Sequence, residues 1–292
     1  MNVKEASKKW NIPERTIRNY CMHGLILGAF RNGKSWFIPN DAENPSDSVF
    51  FLKKPSLLQS LKREKELKEK GGIYHKLQVE MTYNSNHIEG SKLSKEETEL
   101  IFETRTIGHT STNLGIDDII ETSNHFKCVN YVIDNCKKKL TEKLIKDLHT
   151  ILKRSTSDEE LSWFNVGEYK KLPNEVGGQD TTNPENVHLE VKKLIDEYES
   201  IKTKKIEDII EFHVKFERIH PFQDGNGRIG RLIILKECLR YGIVPILIQD
   251  DFKDFYYRGL REWNYEKGYL IDTCLYGQDI FKKYLDYFRI KY

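Results

Sequence analysis

The stretch Ile219-His220-Pro221-Phe222-Gln223-Asp224-Gly225-Asn226-Gly227-Arg228-Ile229-Gly230-Arg231 decides how the rest of the chain is read. A helix ends near His220, where Pro221 stops it. Gly225 and Gly227 let the backbone take positive φ and approach a ligand closely. A new helix begins at about Asn226, so its free N–H groups and dipole form an anion site. Arg228 and Arg231 stand three apart on its first turns and project to one side as a clamp for phosphates. Asp224 is the one carboxylate of the loop, suited to hold a Mg²⁺ that itself bridges phosphate oxygens. His220 is the one group there with a pKa suited to taking a proton near neutrality. Base, metal ligand, anion cradle and cationic clamp together point to transfer of a phosphoryl or nucleotidyl group.

Outward from this loop the chain reads mostly as helices. Apolar residues recur at the 3.6-residue period near 74–88, 95–105, 116–136, 141–154, 185–203, 206–219, 227–242, 251–265 and 268–288. Ile119, Ile120, Phe126 and Val132 fall mostly on one face, and Thr141 caps a helix striped by Leu144, Ile145, Leu148 and Ile151. The exception is 167–186, where Pro173, Gly177, Gly178 and Pro184 predict a hairpin or flap. The chain has 292 residues, enough for about two domains. Hydrophobic residues make up 38% and mean hydropathy is −0.63, with no apolar run long enough to span a membrane. Aromatic residues, at 11%, are ample for a core and argue against wholesale disorder. Cys21, Cys128, Cys136, Cys238 and Cys274 are odd in number and contain no CxxC pair. With the polar opening MNVKEASKKW, they predict a cytoplasmic protein without disulfides or a zinc site.

The net charge of +2 hides an asymmetry: residues 1–40 carry seven basic side chains against Glu5 and Glu14. The turn-like stretch from Asn40 to Asp47 is the candidate boundary, which sets off a module of residues 1–47. Within it two short helices meet at Asn11-Ile12-Pro13, with Ala6 and Trp10 expected against Ile17 and Tyr20. Arg15, Arg18 and Asn19 are left on the outer face of the second helix. A strand pair follows around Asn32-Gly33, a strong hairpin turn. The module resembles the winged helix-turn-helix of MerR-type and excisionase-like DNA binders, which implies a second helix in the major groove and phosphate contacts from Arg15 and Arg18. A small docking domain with solvated basic residues fits the same pattern. One copy offers little phosphate-contacting surface, so tight DNA binding calls for a homodimer. Residues 48–74 read as a charged linker helix stopped by Gly71-Gly72.

The loop from His220 to Arg231 resembles the signature of the Fic family, His-x-Phe-x-(Asp/Glu)-Gly-Asn-Gly-Arg-x-x-Arg, and matches it at every fixed position. The resemblance covers about residues 75–290 and implies an all-α fold with a small β-hairpin flap, so 75–292 is taken as a Fic domain. It implies AMPylation: transfer of AMP from ATP to a Ser, Thr or Tyr hydroxyl of a target protein, with release of pyrophosphate. His220 would be the general base, and Asp224 would hold Mg²⁺ against the α- and β-phosphates. The Gly225-Asn226-Gly227 backbone and Arg228 would cradle the phosphates, Arg231 would reach the γ-phosphate, and a buried Phe222 would fix the loop. Gly167, Lys170, Val176, Gly177, Gly178 and Pro184 match a flap that pairs with the target backbone as an added strand. The family often has Arg where Lys170 stands. Tyr256 and Tyr257 stand where relatives place an adenine-facing pair, and Asn264 where they place a nucleotide contact; core packing accounts equally well for the tyrosines.

Ser85-Asn86-His87-Ile88-Glu89-Gly90 matches the family's inhibitory pattern, (Ser/Thr)-x-x-x-Glu-(Gly/Asn). Ser85 and Glu89 lie four apart on one helix face and Gly90 stops the helix. The resemblance implies that Glu89 pairs with Arg231 and blocks its use by the γ-phosphate. The chain is thus expected to be an autoinhibited protein adenylyltransferase. Alternatives are a relative that transfers UMP or works as a kinase like the Doc toxins, one that removes AMP with Glu89 positioning water, or a DNA-binding regulator whose Fic domain senses nucleotide.

Overall fold

The computed structural model describes all residues except 23–24, 27, 34, 46–54 and 109–112, and the boundary read at 47/48 therefore lies outside the described residues. The chain divides into two compact units, Met1–Pro55 and Ser56–Tyr292.

In the first unit, α1 (Val3–Trp10) starts at an Asn2 cap whose side chain accepts from the Glu5 amide while Glu5 reaches back. Asn11 takes a left-handed conformation, φ 54°, and ends α1 before α2 (Glu14–Met22). Ala6 and Ile17 are fully buried, with Trp10 and Tyr20 packed beside them, as expected. β1 (Phe30–Asn32) and β2 (Ser35–Phe37) pair antiparallel, Phe30 opposite Phe37 with their rings stacked at 5.6 Å. Arg15, Arg18 and Asn19 are exposed, and Arg18 pairs with Glu14 at 2.6 Å.

The second unit holds α3 (Leu57–Leu67), α4 (Ile73–Ile88), α5 (Lys95–Thr104), α6 (Ile116–Asn135), α7 (Glu142–Lys153), α8 (Pro184–Ser200), α9 (Ile206–Ile219), α10 (Asn226–Tyr241), α11 (Lys253–Glu262) and α12 (Gly268–Tyr287). Its one described hairpin is β3 (Glu175–Val176) with β4 (Gln179–Asp180). α10 packs against α4, α6, α7 and α9 and is buried on nearly every side, from Ile229 through Leu239. α4 is similar: within it only Lys76, Tyr83 and His87 escape full burial. A helix apolar or paired all round belongs in the centre of a bundle, and these two form the centre here. α3 belongs to this unit rather than standing apart as a linker, because Leu57 and Leu61 are buried in the main core. The helix expected over 251–265 is a 3₁₀ turn at Asp250–Phe252 followed by α11. All five cysteines are buried and free, and no described helix is long and apolar enough to cross a membrane.

Three histidines sit inside this core, and burial pushes His125, His149 and His213 each down to about 3. From pH 6.5 downward the unfolded chain binds protons that the folded chain refuses, so stability falls as pH falls. Glu217 works the other way, its carboxyl pushed by burial up to about 8. Each histidine not offset by it removes about 1.4 kcal/mol per pH unit. The urea midpoint is expected to drop clearly between pH 6.5 and pH 5; a flat profile would mean that these histidines accept protons in the folded state.

Candidate active site

His220 closes α9. Its amide donates to the Phe216 carbonyl at 3.0 Å and its backbone is left-handed, φ 50°, which with Pro221 turns the chain out of the helix. Phe222 is fully buried and stacks on His149, ring centroids 4.0 Å apart. The Asn226 side chain accepts from the Phe222 amide and donates to its carbonyl, both at 2.8 Å, so Asn226 ties the loop shut rather than presenting its amide group to a ligand. Gly225, at φ 82°, caps α10. Gly227 is helical, and the expected positive φ does not occur there. What it needs is space: a Cβ would lie 2.2 Å from Glu89 Oε1 and 3.0 Å from Arg231 Nη1.

A cavity of about 420 Å³ opens here, lined among others by Glu89, His220, Gly227, Arg231, Tyr256 and Tyr257 and by Val176, Gly177 and Gln179 of the hairpin. His220 Nδ1 donates to the Glu217 carbonyl at 3.2 Å, which leaves Nε2 as the basic nitrogen. Burial lowers its pKa and keeps the ring neutral, the form a general base needs. Arg231 is buried; its Nε donates to Ser85 Oγ at 3.0 Å and its Nη2 to the Ser85 carbonyl at 2.8 Å and Glu89 Oε1 at 2.7 Å. Burial, the largest single influence, opposes its charge, but Glu89 with Tyr256 and Glu217 together outweigh it and hold the guanidinium protonated. Gly90, at φ 96°, carries the chain away from this pair.

Arg228 points to another partner set. It bonds Glu121 and, at 3.0 Å, Asp224 Oδ2. Lys153 completes a ring of alternating charge through Asp224 Oδ2 at 2.7 Å, Glu121 and Asp158. Burial favours the neutral acid at Asp224, yet Arg228 and Lys153 hold its carboxyl well below the usual range. The two arginines therefore do not form one open clamp; a carboxylate already occupies each. Glu121, Asp158 and Asp224 bring carboxylate oxygens within 4.8 Å of one another, an all-oxygen donor set of the kind Mg²⁺ takes.

The remaining expectations divide. Tyr256 borders the cavity, but its hydroxyl is 2.6 Å from His213 Nε2 and the residue is 1% exposed. The Tyr257 hydroxyl donates to the Ile88 carbonyl at 3.0 Å. Asn264 is not among the cavity-lining residues; its side chain accepts from Arg218, which is. In the hairpin, Gly177 and Gly178 take φ 57° and 74°, the pair of left-handed residues a tight two-residue turn requires. Sequence reasoning missed Glu121, His149, Lys153 and Glu217. His149 falls on the apolar stripe of α7 beside Ile145, Leu148 and Leu152, the one signal that could have found it. No pattern marks the other three.

Residues 139–238, from just before α7 into α10, match the Fic/DOC family. Over these residues, about a third of its length, the chain is similar to that family. It is 27% identical over 193 residues to "Protein adenylyltransferase Fic" of Aedes aegypti, covering 64% of this chain and 37% of that protein. Identity is 28% over 187 residues to the protein of the same name from Nematostella vectensis, covering 63% and 42%. The chain thus spans about two fifths of the length of the curated relatives it matches. A Fic-domain-containing signaling protein from Bacteroides thetaiotaomicron superposes with TM-score 0.61 at 26% identity, over 78% of this chain and 94% of that one. A Fic family protein from Desulfovibrio desulfuricans, at TM-score 0.58 and 19% identity over 78% and 72%, shares the fold. The mostly helical Fic fold with its small hairpin is therefore established, and Glu89 lies outside the matched span.

Proposed function

We propose that this Fic domain transfers AMP from ATP to a hydroxyl of a target protein and that Glu89 restrains it. The observation that carries the proposal is a neutral His220 on the same cavity as the first turn of α10 and Arg231. The hydroxyl oxygen of a Ser, Thr or Tyr bonds to the α-phosphorus as its proton passes to His220 Nε2. The bond from that phosphorus to the bridging oxygen breaks and pyrophosphate leaves. Amides at the start of α10 and Arg228 balance charge on the phosphate oxygens, and such preorganised groups supply most of the acceleration. Asp224 would hold Mg²⁺, which adds positive charge beside the polyphosphate. Arg231 is the partner for the γ-phosphate, and Glu89 occupies it. The relatives named protein adenylyltransferase support the same activity. Intact mass after incubation with ATP and Mg²⁺, for the parent and Glu89→Gly, tests it: a gain equal to AMP is expected on the variant, and a phosphate-sized gain would indicate a kinase instead.

For residues 1–47 we infer a winged helix-turn-helix that binds DNA. Two short helices, a hairpin and the exposed Arg15, Arg18 and Asn19 support it. Arg15→Ala with Arg18→Ala is expected to weaken DNA binding and to reduce the slope of log affinity against log salt by roughly one per lost phosphate contact. An unchanged slope would favour protein docking. The parent and double variant are compared by gel shift across a salt series.

A further inference from the structure

The hairpin has little of its own to hold it in place. Each strand is two residues long, and all four strand residues are exposed. A hairpin of that size is marginal in water and needs an outside anchor. The anchor lies at its base. Lys170 is 4% exposed, and its ammonium donates to Asn174 Oδ1 at 2.6 Å, Thr181 Oγ1 at 2.5 Å and the Ile219 carbonyl at 3.4 Å. Asn174 and Thr181 flank the two strands, so one ammonium joins both ends of the hairpin to the residue before His220. The Lys170 amide donates to the Pro221 carbonyl at 2.9 Å, and Asn174 Nδ2 donates to the Phe222 carbonyl at 3.0 Å. The hairpin base is thus bonded on both sides of His220.

All three acceptors of the ammonium are neutral oxygens. A lysine buried without a carboxylate partner carries a desolvation cost, and burial pushes its pKa down to about 8. An apolar residue would fill the volume without that cost. What it could not do is fix Asn174, Thr181 and Ile219 at set distances from one point.

We propose that Lys170 is a positioning residue for target engagement. Through Asn174 and Thr181 it sets Val176 and Gly177 at a fixed height over His220, so that a segment paired along the hairpin presents its hydroxyl to Nε2. The proposal rests on AMP transfer as the reaction.

The test uses the full chain carrying Glu89→Gly, alone and with Lys170→Met, Lys170→Arg or Thr181→Val. Three quantities are followed: self-labelling from α-³²P-ATP, ATP affinity by calorimetry, and amide hydrogen exchange over residues 174–181. Lys170→Met is expected to slow labelling by about tenfold or more while ATP affinity stays within about twofold. Exchange across the hairpin should quicken in step. Lys170→Arg should restore both, since it keeps the charge and several donors. Thr181→Val removes one bond, leaves Lys170 in place and should give a smaller loss of the same kind, which covers a Met variant that fails to fold. Unchanged labelling, or lost labelling with unaltered exchange, would overturn the proposal. A Glu89→Gly parent that takes no label refutes AMP transfer instead, and unaltered hairpin exchange in Lys170→Met then overturns the anchoring role on its own.

Discussion

Replacing His220 by alanine is expected to abolish AMP transfer while leaving the fold and ATP affinity essentially unchanged. The imidazole contributes one hydrogen bond, to the Glu217 carbonyl at 3.2 Å, and fills part of an open cavity, so its loss leaves no new void in the core. Phosphate binding falls to the start of α10 and the arginines, none of which depends on the imidazole. The missing step is proton removal from the hydroxyl, and loss of a general base costs about 10²–10⁴-fold. Rates of label transfer from α-³²P-ATP, with circular dichroism and calorimetry on the same sample, decide it. Activity within a few-fold of the parent would remove His220 from the mechanism.

Glu89→Gly is expected to raise transfer far more than it raises ATP affinity, and Arg231 should mediate the effect. The pair at 2.7 Å is charge-assisted and joins a buried guanidinium to a carboxylate that reaches it from the end of α4. On the proposed mechanism, while it persists ATP would still reach the start of α10, but its γ-phosphate would lack Arg231 and the α-phosphate would not be held in line. Misplacement of about 1 Å at that point can cost about a hundredfold in rate. The variant should therefore gain mainly in kcat, and adding Arg231→Ala should cancel the gain. A Glu89→Gly protein no faster than the parent at saturating ATP would make the Glu89–Arg231 pair a purely structural contact.

The helices were legible because burial on one face leaves a 3.6-residue stripe, and observed ends mostly fall within two residues of the expected ones. The loop at His220 was legible because Pro221 and Gly225 act locally, through φ. Where several distant segments meet, local pattern says little. Nothing in the run LLQSLKREKELKEK shows that Leu57 and Leu61 reach the core, since the charged residues around them mask the stripe. The sequence suggests a positive φ and close ligand approach at Gly227, whereas its smallness serves a carboxylate arriving from 138 positions earlier in the chain. Lys153 and Glu121 matter only as members of a ring closed by Arg228 and Asp224, which no single segment contains. Arg228 and Arg231 do sit on one helix turn, yet their carboxylate partners come from α6 and α4 and pull them apart.

The burial of α4 sets how such a restraint can be lifted. From Ile73 to Ile88 the helix is a central pillar, so it cannot swing out like a lid without dissolving the whole bundle. Its last turn is also pinned by later segments: Tyr257 donates to the Ile88 carbonyl, and His87 Nδ1 lies 2.9 Å from Asp250 Oδ2. Release then comes down to one side chain turning about its own bonds at the pillar's foot, beside a glycine at φ 96°. If Glu89 restrains transfer as proposed, such a valve is expected to open by rotamer exchange, a matter of nanoseconds for an unhindered side chain, rather than by domain motion. Its setting is then governed by whatever crowds or frees the few atoms around Glu89, leaving the rest of the molecule still.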